Sequence, residues 1–248
     1  METKSKLTKA DAKGISLRFK ARGSGYEIMT RGRGKDDYFG ETAKEFMSMW
    51  ILEQPEFFNR KINEFSSKHT RKGNAVEADS IRFISKMKYN GGLVLPNDEH
   101  FADSHKTGTP DIILDDHTAD NKASWTAASF PFFDKILDKR YEFQGQVYMD
   151  LTGKDKHIVY YTLMDTPHAL IMQETYNIAK QLGFAHDDDE VEDIFKETQA
   201  RLTYGDIPDE MKIRAFEVQR SKEYIEGIHE RVEKGREWIY ETLLTLCQ

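Results

Sequence analysis

The chain has one cysteine, Cys247, in 248 residues. A single thiol excludes an internal disulfide, fits a reducing compartment, and cannot supply the four ligands an iron–sulfur cluster normally takes. No apolar run approaches the roughly 20 residues a membrane helix needs. The first fourteen residues, METKSKLTKADAKG, are basic but hold no apolar core, which argues against secretion and for a cytoplasmic protein. There is no linker composition and no internal repeat, so residues 1–248 read as one domain. Two loop histidines, His100 and His105, have no cysteine beside them and do not read as a zinc site. The acidic run 186–190 lacks the spaced ligands and central glycine of a calcium loop, and reads as a solvated helix start.

What is present is a folded globular composition, 12% aromatic and 38% hydrophobic, with an uneven charge. Residues 1–35 hold ten Lys/Arg against three Asp/Glu, a local charge of +7, which leaves −14 for the rest of a chain whose net charge is −7. A basic arm on an acidic body suits a protein that meets nucleic acid along one lined surface. Within the arm, Arg31 and Arg33 lie in a glycine-spaced loop that could track a phosphate backbone. A solvated, partly disordered tail over 1–14 is the competing reading.

Apolar spacing predicts helices over 41–52, 55–67, 74–87, 141–151 and 169–182, and strands over 92–95, 112–114 and 157–164. A long amphipathic helix over 219–245 would close the core or make a subunit contact. Helices alternating with short strands give an α/β domain with a small mixed sheet.

The stretch 108–122, GTPDIILDDHTADNK, is the most informative. Ile112, Ile113 and Leu114 form a short buried strand, the Asp115-Asp116-His117 turn leaves it, and the chain reverses. Side chains two apart on a strand share a face, so Asp120 and Lys122 point one way and Asn121 the other. Such a hairpin brings Asp111 to them, a cradle for a hard divalent cation and a phosphate. Upstream, Glu77 shares a helical stripe with Ile81 and Ile84, where a carboxylate needs a partner such as a metal. Asn74 and Glu77 equally form a capping box that requires no chemistry. Downstream, Gln144 and Tyr148 are four apart on one helical face and either serve the site or line an interface. Trp125, two residues past Lys122, is a candidate base contact against a default of core packing.

These residues carry a resemblance. Pro110-Asp111 followed by Asp120-Asn121-Lys122 resembles the signature of the PD-(D/E)XK nuclease superfamily. Residues 72–77, KGNAVE, resemble its G-x-x-x-E helix, and Gln144 to Tyr148 its Q-x-x-x-Y helix. The last element marks the branch of the phage λ-type exonucleases, and the text SWTAASFPFF after Lys122 is similar to the phage-encoded, YqaJ-like members. The resemblance implies a restriction-endonuclease-like core with helical N- and C-terminal additions. It implies Mg²⁺, replaceable by Mn²⁺, held by Glu77, Asp111, Asp120 and the backbone carbonyl of Asn121, with Lys122 and Gln144 in the catalytic set. Arg22 and Ser24 resemble an Arg/Ser pair that holds the 5′-phosphate of a DNA end. Many relatives have Glu where this chain has Asp120, a departure that the motif allows. The implied activity is end-dependent, 5′-to-3′ hydrolysis of linear duplex DNA in phage-type recombination, by a ring-shaped homo-oligomer partnered by a single-strand annealing protein in the host cytoplasm. An endonuclease or single-strand-specific nuclease on the same core, and a catalytically silent DNA-end-binding protein, are the alternatives.

Overall fold

A computed structural model describes residues 7–34, 37–62 and 67–247. The N-terminal part comprises α1 (Lys9–Leu17), β1 (Ala21–Arg22), α2 (Glu41–Leu52) and α3 (Lys68–Lys88). The middle holds β2 (Phe101–Ala102), β3 (Lys106–Gly108), β4 (Ile112–Ile113), β5 (Thr118–Ala123), α4 (Lys139–Thr152) and β6 (Lys156–Thr162). Then follow α5 (His168–Leu182), α6 (Glu190–Leu202), β7 (Ile213–Gln219) and α7 (Lys222–Leu244).

The central sheet is mixed, in the order β4-β5-β6-β7. β4 and β5 form the antiparallel hairpin, with Ile112 opposite Ala119. β5 and β6 are parallel, which requires a crossover, and α4 supplies it. Helix α4 begins where the Asp138 side chain accepts from the Arg140 N–H and ends at Gly153, whose φ of 71° is the left-handed cap that favours glycine. Helix α3 packs its Ile81 and Ile84 against Ile112, Ala119 and Tyr160 on one face of the sheet. On the other face, α4 sets Gly145 against the His157 ring.

The outer side of α4 is also apolar, and a helical layer covers it. Ile15 of α1, Met47 and Trp50 of α2, Phe143 and Val147 of α4, and Ile228 and Val232 of α7 form one core. Helix α7 therefore buries its apolar stripe within its own chain. A second, three-stranded sheet, β1-β3-β2, lies along α4. No helix among the described residues is long and apolar enough to cross a membrane.

The architecture is the expected α/β one, with local departures. The basic arm is no free tail from Leu7 onward: a Thr8–Asp11 capping box starts α1, and Ala12, Ile15 and Phe19 are buried. Residues 1–6 and 35 of that arm lie outside the described residues. The helix expected over 55–67 is absent over 55–62, where the chain makes turns, and 63–66 lie outside the described residues. Residues 92–95 pair with no strand, and Leu93 and Leu95 are exposed. Strand β7 was not anticipated.

Candidate active site

The site is assembled where the β4–β5 hairpin opens. The Asn121 N–H donates to Asp111 Oδ2 at 2.8 Å, and the Asp111 N–H donates to Asp120 Oδ1 at 3.1 Å. Lys122 Nζ donates to Asp120 Oδ2 at 2.9 Å. Asp120 is 1% exposed. Two carboxylates and one ammonium thus share a pocket behind the sheet face that α4 covers.

The electrostatics are unbalanced. Burial, reinforced by the neighbouring Asp120 charge, pushes the Asp111 carboxyl up to about 7; Lys122 opposes this and Glu77 adds to it. Burial would favour neutral Lys122, but the charges of Asp120 and Asp111 outweigh it and hold its pKa above the ordinary value. Lys122 is therefore an ammonium at neutral pH, suited to orienting water or countering phosphate charge rather than to removing a proton. The Tyr141 ring lies 5.0 Å from its Nζ and adds a cation–π contact. With both carboxylates ionised the cluster holds one more negative than positive charge, which a hard cation with oxygen ligands would relieve.

Glu77 lies on α3, whose N-cap is Ser67, with the Ser67 hydroxyl accepting from the Thr70 N–H. Asn74 is consequently inside the helix, and the Asn74–Glu77 capping box does not form. Glu77 does lie four and seven residues before the buried Ile81 and Ile84, on their side of α3. It is itself exposed, and its charge is felt at Asp111.

Gln144 Nε2 donates to Tyr148 Oη at 2.9 Å. Tyr148 is buried, and burial together with the Asp120 charge raises its pKa, so the hydroxyl stays protonated. Its ring fills the space a side chain would need at Gly23 and Gly108: a Cβ there would lie 2.7 Å and 2.5 Å from Tyr148 Cε1. Tyr148 is thus a strut between the acidic cluster and the β1 edge, and offers no open face to a base. Arg22 and Ser24 flank Gly23 and are exposed on that edge, with Arg22 3.6 Å from Glu53. Arg31 and Arg33 are exposed in a separate loop, Arg31 beside Tyr38, Glu230 and Arg231.

Trp125 follows the default of core packing expected for it. It is 5% exposed and packs with Ile171 of α5 and Leu202 of α6. Its carbonyl accepts from Lys72 Nζ at 3.2 Å.

A second acidic group, Asp103, Asp150 and His229, brings ligand atoms within 4.8 Å of one another. Its centre is filled by a fully buried lysine. Lys106 Nζ is 2.8 Å from Asp103, 2.7 Å from Asp150 and 2.5 Å from His229, so an ammonium already supplies the positive charge. Asp150 is further paired with Arg220, whereas Asp111 and Asp120 share Lys122 alone among the described residues.

The fold is one shared with solved exonuclease structures. No family model and no curated protein matches the chain. Solved structures do. A phage-related exonuclease from Haemophilus somnus 129PT superposes with a TM-score of 0.72 at 24% identity, over 92% of this chain and 96% of that one. An alkaline exonuclease from Laribacter hongkongensis, LHK-Exo, superposes with a TM-score of 0.56 at 16% identity, over 95% and 96% of the two chains. LHK-Exo in complex with dAMP gives the same score and identity.

Proposed function

We propose that the chain is a divalent-metal-dependent DNA exonuclease. The observation that carries this reading is the half-buried Asp111 and the buried Asp120 side by side on the hairpin and joined by Lys122, on a fold shared with solved exonucleases. Asp111 and Asp120, with the Asn121 carbonyl and Glu77, would hold Mg²⁺ or Mn²⁺. A divalent cation bound there supplies Lewis acidity and lowers the pKa of a coordinated water. Lys122 orients the attacking water and counters charge on the phosphate, while Gln144, fixed by Tyr148, positions the strand. Arg22 and Ser24 offer a bidentate donor and a hydroxyl to the terminal 5′-phosphate, which favours digestion from the 5′ end. LHK-Exo has been solved with dAMP, and a deoxynucleoside monophosphate is what stepwise hydrolysis from an end would release here.

The acidic body limits non-specific affinity, which comes from cations displacing counterions on DNA. A homo-oligomeric ring gathering the Lys/Arg of several subunits would answer this, with a single-strand annealing protein as partner in recombination. Because α7 spends its apolar face internally, such an assembly would use other surfaces.

The test is digestion of end-labelled linear duplex against closed circles, with and without Mg²⁺ and a 5′-phosphate. Metal-dependent release of mononucleotides from linear DNA alone supports the reading. Cutting of circles would mark an endonuclease, and binding without hydrolysis a silent end-binding protein.

A further inference from the structure

The segment that follows Trp125 carries what Trp125 does not. Between β5 and α4 the chain reads FPFFDKILDKR over 130–140. Phe130 and Phe132 turn inward, toward Leu163, Tyr204 and Tyr161. Phe133 and Ile136 turn outward, 92% and 86% exposed. Large apolar side chains this bare are expensive in water unless something covers them.

Their position limits what that is. Lys122 on β5 stands opposite Tyr161 on β6, and Tyr161 stands opposite Arg214 on β7. With strands about 4.8 Å apart, this row places the Arg214 backbone roughly 10 Å from that of Lys122. Arg214 grips the loop: Nη1 donates to the Phe132 carbonyl at 2.6 Å and Nη2 to the Asp134 carbonyl at 2.9 Å. The backbone on either side of Phe133 is therefore anchored, and its ring projects from a fixed base.

The surrounding charge favours a polyanion. Lys135, Lys139 and Arg140 are exposed around Phe133 and Ile136. Asp134 and Asp138 oppose them, but Arg140 already neutralises Asp138 at 2.7 Å. Neither Lys135 nor Lys139 has an ion-pair partner among the described residues. An exposed aromatic among free lysines is the make-up of a stacking platform for unpaired bases, since every base presents a π-face and every phosphate a charge.

We propose that Phe133 stacks on an unpaired nucleobase of the strand that feeds the Asp111–Asp120–Lys122 cluster, within the first few nucleotides of the end. The occupant is single-stranded nucleic acid at the frayed end of the duplex, and Lys135 and Lys139 meet the phosphates on either side. This rests on the nuclease reading.

The test uses 5′-phosphorylated duplexes carrying 2-aminopurine at each of the first four positions in turn, with Ca²⁺ replacing Mg²⁺ for binding and Mg²⁺ for turnover. Wild-type protein should change the fluorescence at one or two of these positions. Phe133→Ala should lose that change and lower kcat/KM about tenfold through KM, with the melting temperature unaltered. Phe133→Trp should restore both. If wild type digests DNA and Phe133→Ala is indistinguishable from it, the stacking proposal falls and the nuclease stands. Wild-type protein that neither binds nor cuts the duplex overturns both. Dissociation of an oligomer by Phe133→Ala in sedimentation, with the fluorescence change intact, would show that a second copy of the chain covers this loop instead.

Discussion

Replacing Asp111 by Asn should stabilise the metal-free protein, although it removes a residue of the proposed site. The amide oxygen can still accept from the Asn121 N–H, so the hairpin keeps its 2.8 Å bond. What disappears is a buried charge facing Asp120. The Asp111 carboxyl has its pKa raised from 3.8 to about 7, by burial first and by Asp120 second. A carboxyl raised in the folded state favours folding while it stays protonated, and that contribution is lost as pH climbs from the unfolded value through the folded one. Wild-type stability in EDTA should thus decline between about pH 4 and pH 7, and Asp111→Asn should lack this part of the decline. A shift of roughly three units corresponds to about 4 kcal/mol at most, so a gain of about 2–4 kcal/mol at pH 8 is expected. The assay is denaturant unfolding at pH 5 and pH 8, in EDTA and in millimolar Mn²⁺. Mn²⁺ should stabilise wild type, since a ligand bound only by the folded state adds RT ln(1 + [L]/Kd), and should leave Asp111→Asn nearly unmoved. A variant less stable than wild type in EDTA at pH 8, or equally stabilised by Mn²⁺, would refute the reasoning. The cluster would then be a structural ion pair completed by Lys122.

Asp120→Ala and Lys122→Ala should each abolish metal-dependent hydrolysis in a protein that still folds; wild-type-like turnover from folded Asp120→Ala would remove the site assignment. Gln144→Ala should cut activity by an order of magnitude or more with a melting temperature within about 2 °C of wild type, because Gln144 is only half-buried; a large melting loss at full specific activity would make it an interface residue instead. Gly108→Ala should cost about 1–3 kcal/mol in thermal or denaturant unfolding, since the new methyl would stand 2.5 Å from a buried tyrosine ring that has little room to retreat, and neutrality there would deny Tyr148 its position.

The hairpin was legible because its signals are local. A β-branched run, an Asp-Asp-His turn and the two-residue side-chain period together decide where Asp120 and Lys122 point. Glu77 was harder: Asn74 offered a plausible helix start, but α3 is capped by Ser67, seven residues earlier, so the capping box is lost while Glu77 keeps the side of the helix that holds Ile81 and Ile84. The aromatic segment defeated composition altogether. Trp125 and Phe133 look alike in sequence, and only the arrival of α5 and α6, more than forty residues downstream, buries one while Arg214 props the other outward. Strand β7 did carry a readable alternation, IRAFEVQ, which the charged helices on either side obscured. Which strands neighbour one another depends on the α4 crossover, and no local pattern contains that.

The Tyr148 ring has a consequence for how this architecture can change. It touches Gly23 between Arg22 and Ser24 on one side and holds Gln144 on the other, in an interior too dense to absorb a displacement. If residues 22–24 grip the end of a strand and the acidic cluster places the cut, as proposed, one rigid spacer sets the distance between the two, much as a jig fixes a saw. An exchange of residues 21–24 between relatives would carry its binding preference across only if the glycines and the α4 tyrosine travelled with it. The two glycines and the tyrosine form one steric unit, although 125 positions separate the first from the last.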